Sequence, residues 1–166
     1  MRITRVKRTR KTIFVAWTVG DEEFDLTSRD NPLPAFIKAL DALPPLVCEI
    51  CHLPKTYAEG LQVNGAYITE VGQVDAVTIV AVKTLPDNNR PLNLATPLRL
   101  LDNPEEPAAA NPPLSDRQIG LINDLLDEAK RYVKCQRAQG QIDFGPELPA
   151  EEVDKKQLSL ALRGGH

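Results

Sequence analysis

The sequence lacks several features on which common functions depend. Only two of its 166 residues are histidines and only one is a tryptophan. It contains no Gly-x-Ser-x-Gly motif and no glycine-rich phosphate loop, so it offers no recognisable catalytic constellation. No apolar run approaches the roughly 18 residues that span a membrane. We therefore expect a non-enzymatic protein with no cofactor, no metal and no membrane partner.

Cysteine is also scarce. The three cysteines are an odd number, and no apolar segment opens the sequence. Secreted domains of this size more often carry an even set of cysteines that pair in disulfides. The composition therefore predicts reduced thiols and a cytoplasmic location.

Two of the cysteines lie in the segment 48–52, CEICH, which has the C-x-x-C-H spacing of covalent haem attachment. Haem chemistry needs a second axial ligand, and the only methionine is the first residue. Zinc would need Cys135 or His166 as a remote ligand beside Cys48, Cys51 and His52. The interpretation that we favour is that Cys48 and Cys51 are buried or half-buried thiols of a core helix.

Charge is unevenly distributed although the net charge is only −3. Residues 1–11 contain no acid, and their basic side chains are Arg2, Arg5, Lys7, Arg8, Arg10 and Lys11. One interpretation is an edge strand protected by charge, which would extend the first strand beyond its partner. The alternative is nucleic-acid contact by Arg5, Lys7, Arg8, Arg10 and Lys11, with counterion release. The stretch lacks interleaved aromatic residues on which bases would stack.

Alternating apolar residues predict most of the sheet. Residues 75–85, DAVTIVAVKTL, are apolar on both faces of an extended chain, as in a central strand covered on both sides. Residues 12–27 alternate around Gly20 and predict a hairpin. In residues 60–69 the apolar phase slips by one position, which a bulge at Asn64-Gly65 would correct; a hairpin turn there is the alternative.

The helices are predicted from apolar spacing and from the residues that flank them. Asp30-Asn31-Pro32 would cap a helix over residues 33–43, and a second short helix would cover residues 46–52. Residues 86–114 are rich in proline and predict an irregular strap. Ser115 and Gln118 fit a capping box that opens a long helix over residues 115–139.

The resulting order is strand, strand, helix, strand, strand, helix, which predicts an α+β fold with a small, mainly antiparallel sheet. We expect one domain over residues 1–139, which includes the strap, and a disordered, flexible tail over residues 140–166. The apolar content of the central strand and of the long helix leaves room for a homodimer.

The tail contains the sequence QLSLAL at residues 157–162. It resembles the peptides by which bacterial proteins dock on the replicative sliding clamp, where a glutamine precedes alternating leucines. The resemblance implies partner binding by Gln157, Leu158, Leu160 and Leu162. The alternative is that this segment packs back on its own domain.

The body of the chain, from EEFDLTSRDNPLPAFIKALDAL to DEAKRYVKCQRAQG, resembles small uncharacterised proteins of tailed phages and prophages. The resemblance implies a setting in the cytoplasm of a host bacterium. On this basis we expect an accessory binding protein of DNA replication or recombination that docks on a host protein such as the sliding clamp. The alternative is an anti-defence protein that inhibits an immune effector or sequesters a signalling nucleotide.

Overall fold

The computed structural model, which describes residues 1–87, 90–102 and 111–135, contains one antiparallel sheet of seven strands. The strand bounds are β1 Arg2–Arg8, β2 Ile13–Val19, β3 Glu22–Ser28, β4 Leu61–Val71, β5 Val74–Thr84, β6 Pro91–Ala95 and β7 Arg99–Leu100. The strand order across the sheet is β3-β2-β1-β4-β5-β6, and β7 also pairs with β5, after β6 has ended.

Among the described residues, three α-helices accompany the sheet. Their bounds are α1 Pro34–Asp41, α2 Pro44–Ile50 and α3 Asp116–Val133, and a 3₁₀ turn follows α2 at Lys55–Ala58. Helix α3 packs against β1, α1 against β4, and α2 against β4 and β5. The α+β class and the mainly antiparallel sheet are therefore confirmed. None of the helices among the described residues has the length and apolar character of a membrane span.

The basic N-terminal segment differs from its prediction. It is not an extension of β2 and not an edge, because β1 is an interior strand paired with β2 and β4. A register shift between Ile3 and Arg5 inserts one extra residue into the strand. Because of this bulge, Ile3 and Val6 both reach the core although they are three residues apart. A strict alternation rule cannot detect such a strand.

Strand β4 matches its prediction. The register with β5 shifts between Val63 and Gly65, so a bulge rather than a hairpin turn lies at this point. Leu61 and Val63 before the bulge and Ala66 and Ile68 after it are all buried. The bulge therefore keeps both apolar pairs on the face that packs against the helices.

Strand β5 is completely covered on one face and only partly covered on the other. Val77, Ile79 and Ala81 are completely buried in the core beneath the helices. On the opposite face, Ala76 is also buried, whereas Val80 and Val82 are only half-buried. The two-sided apolar pattern therefore overstated the burial of this strand.

The predicted strap contains two strands. Its described residues include β6 and β7, which pair with β5, so residues 91–100 are part of the sheet rather than irregular chain. Thr96 fills the gap between these strands: its Oγ1 accepts the Ile79 N–H at 2.9 Å, and its own N–H donates to the Ile79 carbonyl at 2.9 Å. A side chain thus continues the ladder where β6 ends. Residues 88–89 and 103–110 lie outside the described residues.

The helices begin and end at sites set by local chemistry. The N-cap of α1 is Leu33 without a side-chain cap, so Asp30 and Asn31 do not cap it; Pro34 supplies the first turn. The capping box of Ser115 and Gln118 is present at the start of α3. Helix α3 ends at Val133, six residues before its predicted end, because Cys135 has a left-handed backbone with φ of 64°. Residues 136–166, which include the predicted tail, lie outside the described residues.

Candidate nucleic-acid interface

The open face of the sheet, by which we mean the face opposite the helices, presents basic and aromatic side chains side by side. The register of β1 with its neighbours places Arg5 opposite Tyr67 of β4, and Lys7 opposite Phe14 of β2. Residues directly opposite each other on antiparallel strands project to the same side of a sheet. These four side chains therefore share the open face.

Arg5 lies at the centre of this group. Its guanidinium carbon is 4.6 Å from the ring centroid of Tyr67 and 5.3 Å from that of Phe14. Its Nη2 donates to the Tyr67 hydroxyl at 2.9 Å. Because an arginine between two rings is held by cation–π attraction on both sides, this positive charge has a defined position on the sheet.

The aromatic residues come from neighbouring strands rather than from the basic segment itself. Residues 1–11 contain no aromatic residue of their own. In the folded sheet, however, Phe14 of β2 and Tyr67 of β4 lie on either side of Arg5. Only the pairing register of β1 reveals this arrangement. The alternation of Arg5 and Lys7 with the apolar Val6 indicates only that the two cations share one face of a strand.

Further positive charge lies in the loop that joins β1 to β2. Arg10 and Lys11 are exposed at its tip, and Lys7 is exposed on the adjoining strand. Thr9 holds the loop closed: its N–H donates to the Thr12 carbonyl at 2.9 Å, and its Oγ1 accepts the Thr12 N–H at 3.0 Å. The loop therefore presents two cations on a constrained backbone.

Arg8 has a more structural role than the sequence predicted. Its Nη2 donates to the Val63 carbonyl at 3.0 Å, and its guanidinium is 3.4 Å from Asp41 at the end of α1. Only 12% of the Arg8 side chain is exposed. Arg29, which sequence reasoning did not select, is exposed and lines a cleft with this same loop. Arg8 therefore links β1 to β4 and to the end of α1, whereas Arg29 adds an exposed positive charge beside the loop between β1 and β2.

Negative charge lies at one edge of the open face. The edge strand β3 carries Glu23 and Asp25, which pair with Thr18 and Ala16 of β2. Both carboxylates are exposed, and both lie two strands away from β1. A polyanion on this face would therefore be repelled from β3 and would approach β1, β4 and β5.

The C-x-x-C-H segment lies away from the open face. Cys48 is buried in the core, and Cys51 is half-buried. Burial raises the pKa of both thiols; the neighbouring Cys48 raises that of Cys51 further, whereas Lys83 partly opposes the shift at Cys48 and Arg99 that at Cys51. His52 is exposed, with φ of 53° after the end of α2. Among the described residues there is no group of three side chains that could hold a metal ion.

The proposed clamp-binding residues Gln157, Leu158, Leu160 and Leu162 lie outside the described residues. Compared with known proteins, the chain has no matching family model, no matching curated protein and no matching solved structure.

Proposed function

We propose that the protein is a non-enzymatic binding protein that holds single-stranded nucleic acid on the open face of its sheet. The observation that carries the proposal is the Arg5 guanidinium between the rings of Phe14 and Tyr67. Rings and guanidinium planes on a sheet are surfaces on which unpaired bases stack without regard to sequence.

The surrounding charges fit a strand that runs from the loop across the middle of the sheet. Lys7, Arg10 and Lys11 are exposed at one end of this path. Beyond Tyr67, the open face continues through Thr78, Val80 and Val82 of β5, which are half-buried. Phosphates would contact the cations while bases would contact the rings and the valines.

The first experiment compares two triple variants that change the net charge by the same amount. Lys7→Glu, Arg10→Glu and Lys11→Glu reverse the charges beside the open face. Lys38→Glu, Lys55→Glu and Arg117→Glu reverse three exposed charges on the helical elements. Binding of a labelled oligothymidine is measured by fluorescence anisotropy over a range of salt concentrations.

We expect the first variant to lose more than about tenfold in affinity and to show a shallower salt dependence, because each lost phosphate contact changes the slope by roughly 0.7. The second variant should retain affinity within about threefold, since its charges lie away from the path. Equal losses in the two variants would show that only net charge matters and would reject the interface.

A second candidate function concerns the tail, and its support is the resemblance of residues 157–162 to clamp-binding peptides. In that proposal, Gln157, Leu158, Leu160 and Leu162 fill a groove on a host sliding clamp, which would bring the open face to replicating DNA during phage growth. The test is clamp binding by wild type and by the Gln157→Ala, Leu160→Ala double variant. Equal affinity would reject clamp docking and would leave the proposal for the open face untouched.

The anti-defence alternative places the activity in the folded domain. If the protein sequesters a signalling nucleotide, free nucleotides should compete with oligothymidine for the open face. Competition at micromolar nucleotide would favour this alternative over a role in DNA metabolism. Oligonucleotide binding that is unaffected by nucleotide would reject it.

A further inference from the structure

A polar cleft lies at the end of the open face, beside the loop between β1 and β2. Backbone pairing of β1 with β4 ends at Lys7 and Gly65, although both strands continue beyond that point. The bulge at Asn64 changes the register of β4 there. The resulting cleft has a volume of about 440 Å³. The cleft therefore lies beside the bulge and the point at which pairing of β1 with β4 ends.

The lining of the cleft is basic and rich in hydrogen-bonding groups. It includes Arg8, Thr9, Arg10, Gln62, Asn64 and Thr84. Among the described lining residues there are two positive charges and no carboxylate. Gln62 and Thr84 belong to β4 and β5, and their pairing partners Val82 and Pro91 also line the cleft. Strands of the sheet thus form its wall, while the loop adds Arg10.

The two arginines contribute differently. Arg8 is fixed by the Val63 carbonyl and lies 3.4 Å from the exposed carboxylate of Asp41. Its Nε is buried and has no hydrogen-bond partner among the described residues. It supplies a fixed positive charge to the wall. Arg10 is exposed in the loop, so its guanidinium is the donor that can close on a ligand.

We propose that this cleft is a binding site for a phosphate group. A phosphate offers several acceptor oxygens and negative charge, which match an arginine fork, the side-chain amides of Gln62 and Asn64, and the Thr84 hydroxyl. The inference rests on the proposed function and deepens it by naming what this end of the open face recognises. The phosphate belongs either to a strand that crosses the open face or to a free nucleotide.

The experiment follows the side-chain amide signals of Gln62 and Asn64 by ¹⁵N nuclear magnetic resonance in the full chain. The ligands are inorganic phosphate, AMP, and oligothymidine with and without a 5′-phosphate. We expect saturable shifts of both amides. Shifts with phosphate and AMP assign a free phosphate as the ligand. If the protein prefers the 5′-phosphorylated strand by about tenfold, the terminal phosphate is the group that occupies the cleft. If both strands give equal shifts, a backbone phosphate occupies it.

Two variants make the result specific. Gln62→Glu puts a carboxylate into the lining and should weaken the Asn64 response by at least about tenfold, since a charge-assisted hydrogen bond is replaced by repulsion. Arg10→Ala, in the exposed loop, should have a similar effect. The matched control is Gln73→Glu, which introduces the same charge at the exposed turn between β4 and β5 and should leave the response unchanged.

The proposal is overturned if neither amide responds saturably to any of the four ligands, or if Gln62→Glu and Gln73→Glu have the same effect. Failure of the proposed function is distinguishable from this result. If oligothymidine binds without shifting either amide signal, the cleft proposal is rejected and the proposal for the open face stands. If the amide signals respond to phosphate and AMP but to neither oligothymidine, the cleft proposal stands and nucleic-acid binding is rejected.

Discussion

The two faces of the sheet are built from the same strands but differ in what their side chains do. On β5, Val77, Ile79 and Ala81 are completely buried beneath the helices, whereas Val80 and Val82 on the open face are half-buried. The covered face owes its stability to close packing. The open face keeps an arginine between two rings and exposed cations nearby. The same strand therefore stabilises the fold through one face and leaves side chains of its other face accessible.

The largest expected effect is at Gly65, where β1 approaches β4. A Cβ at this position would overlap the Val6 carbonyl oxygen and lie 3.0 Å from its carbonyl carbon. We expect Gly65→Ala to lower the free energy of unfolding by about 3 kcal/mol, because backbone atoms would have to move. The measurement is urea denaturation followed by circular dichroism.

The control for Gly65 is Gly120 in α3, where an added Cβ would meet no atom within 4 Å. Gly120→Ala should stabilise the protein by up to about 1 kcal/mol, since alanine favours helix more than glycine does. Equal effects at the two glycines would contradict the close approach of β1 to β4.

A pair of valines on β5 compares the two faces directly. Val77→Ala should cost roughly 2–3 kcal/mol, because it removes buried methyl groups and leaves a cavity. Val82→Ala should cost less than about 1 kcal/mol, because its side chain is only half-buried. Both values are obtained from urea denaturation under the same conditions. If Val82→Ala were as costly as Val77→Ala, the open face would be covered in solution.

Thr96→Val tests the side chain that continues the ladder between β6 and β7. The change keeps the shape but removes the acceptor of the Ile79 N–H, so we expect a loss of about 1–2 kcal/mol. Amide hydrogen exchange at Ile79 should accelerate in the variant. Thr69→Val, at an exposed position of β4, is the matched control and should change stability little.

The smallest expected effects concern the thiols. Because burial raises the pKa of Cys48 and Cys51, their thiolates form only at higher pH than in an unfolded chain, and alkylation at neutral pH should be slow. Exposed Cys135 should react first, as judged by mass spectrometry. Cys48 should react at the rate of unfolding. Rapid alkylation of Cys48 at neutral pH would contradict its burial in the core.

Much of the fold was predictable because local signals agreed with tertiary packing. Gly20 marks the hairpin, the capping box of Ser115 and Gln118 opens α3, and the phase slip at Asn64 signals the bulge. Each of these signals involves residues close together in the sequence. Backbone geometry at such sites depends on few residues, so sequence patterns describe it well.

The missed features depend on distant residues. Strand β1 is interior because β4, about 60 residues later, pairs with it, and its bulge conceals the apolar alternation. Strands β6 and β7 lie in a proline-rich segment, which pairing with β5 nevertheless makes regular. The rings around Arg5 come from two other strands. A candidate site built across strands can be recognised only once the register is known.

The most direct test of the open face uses methyl groups on a single strand. Isotope-labelled methyls of β5 are observed by nuclear magnetic resonance during titration with oligothymidine. We expect saturable shifts for Val80 and Val82, which lie on the open face, and little change for Val77 and Ile79 beneath the helices. Shifts confined to Val77 and Ile79, or no saturable shift at any of the four, would contradict binding on the open face.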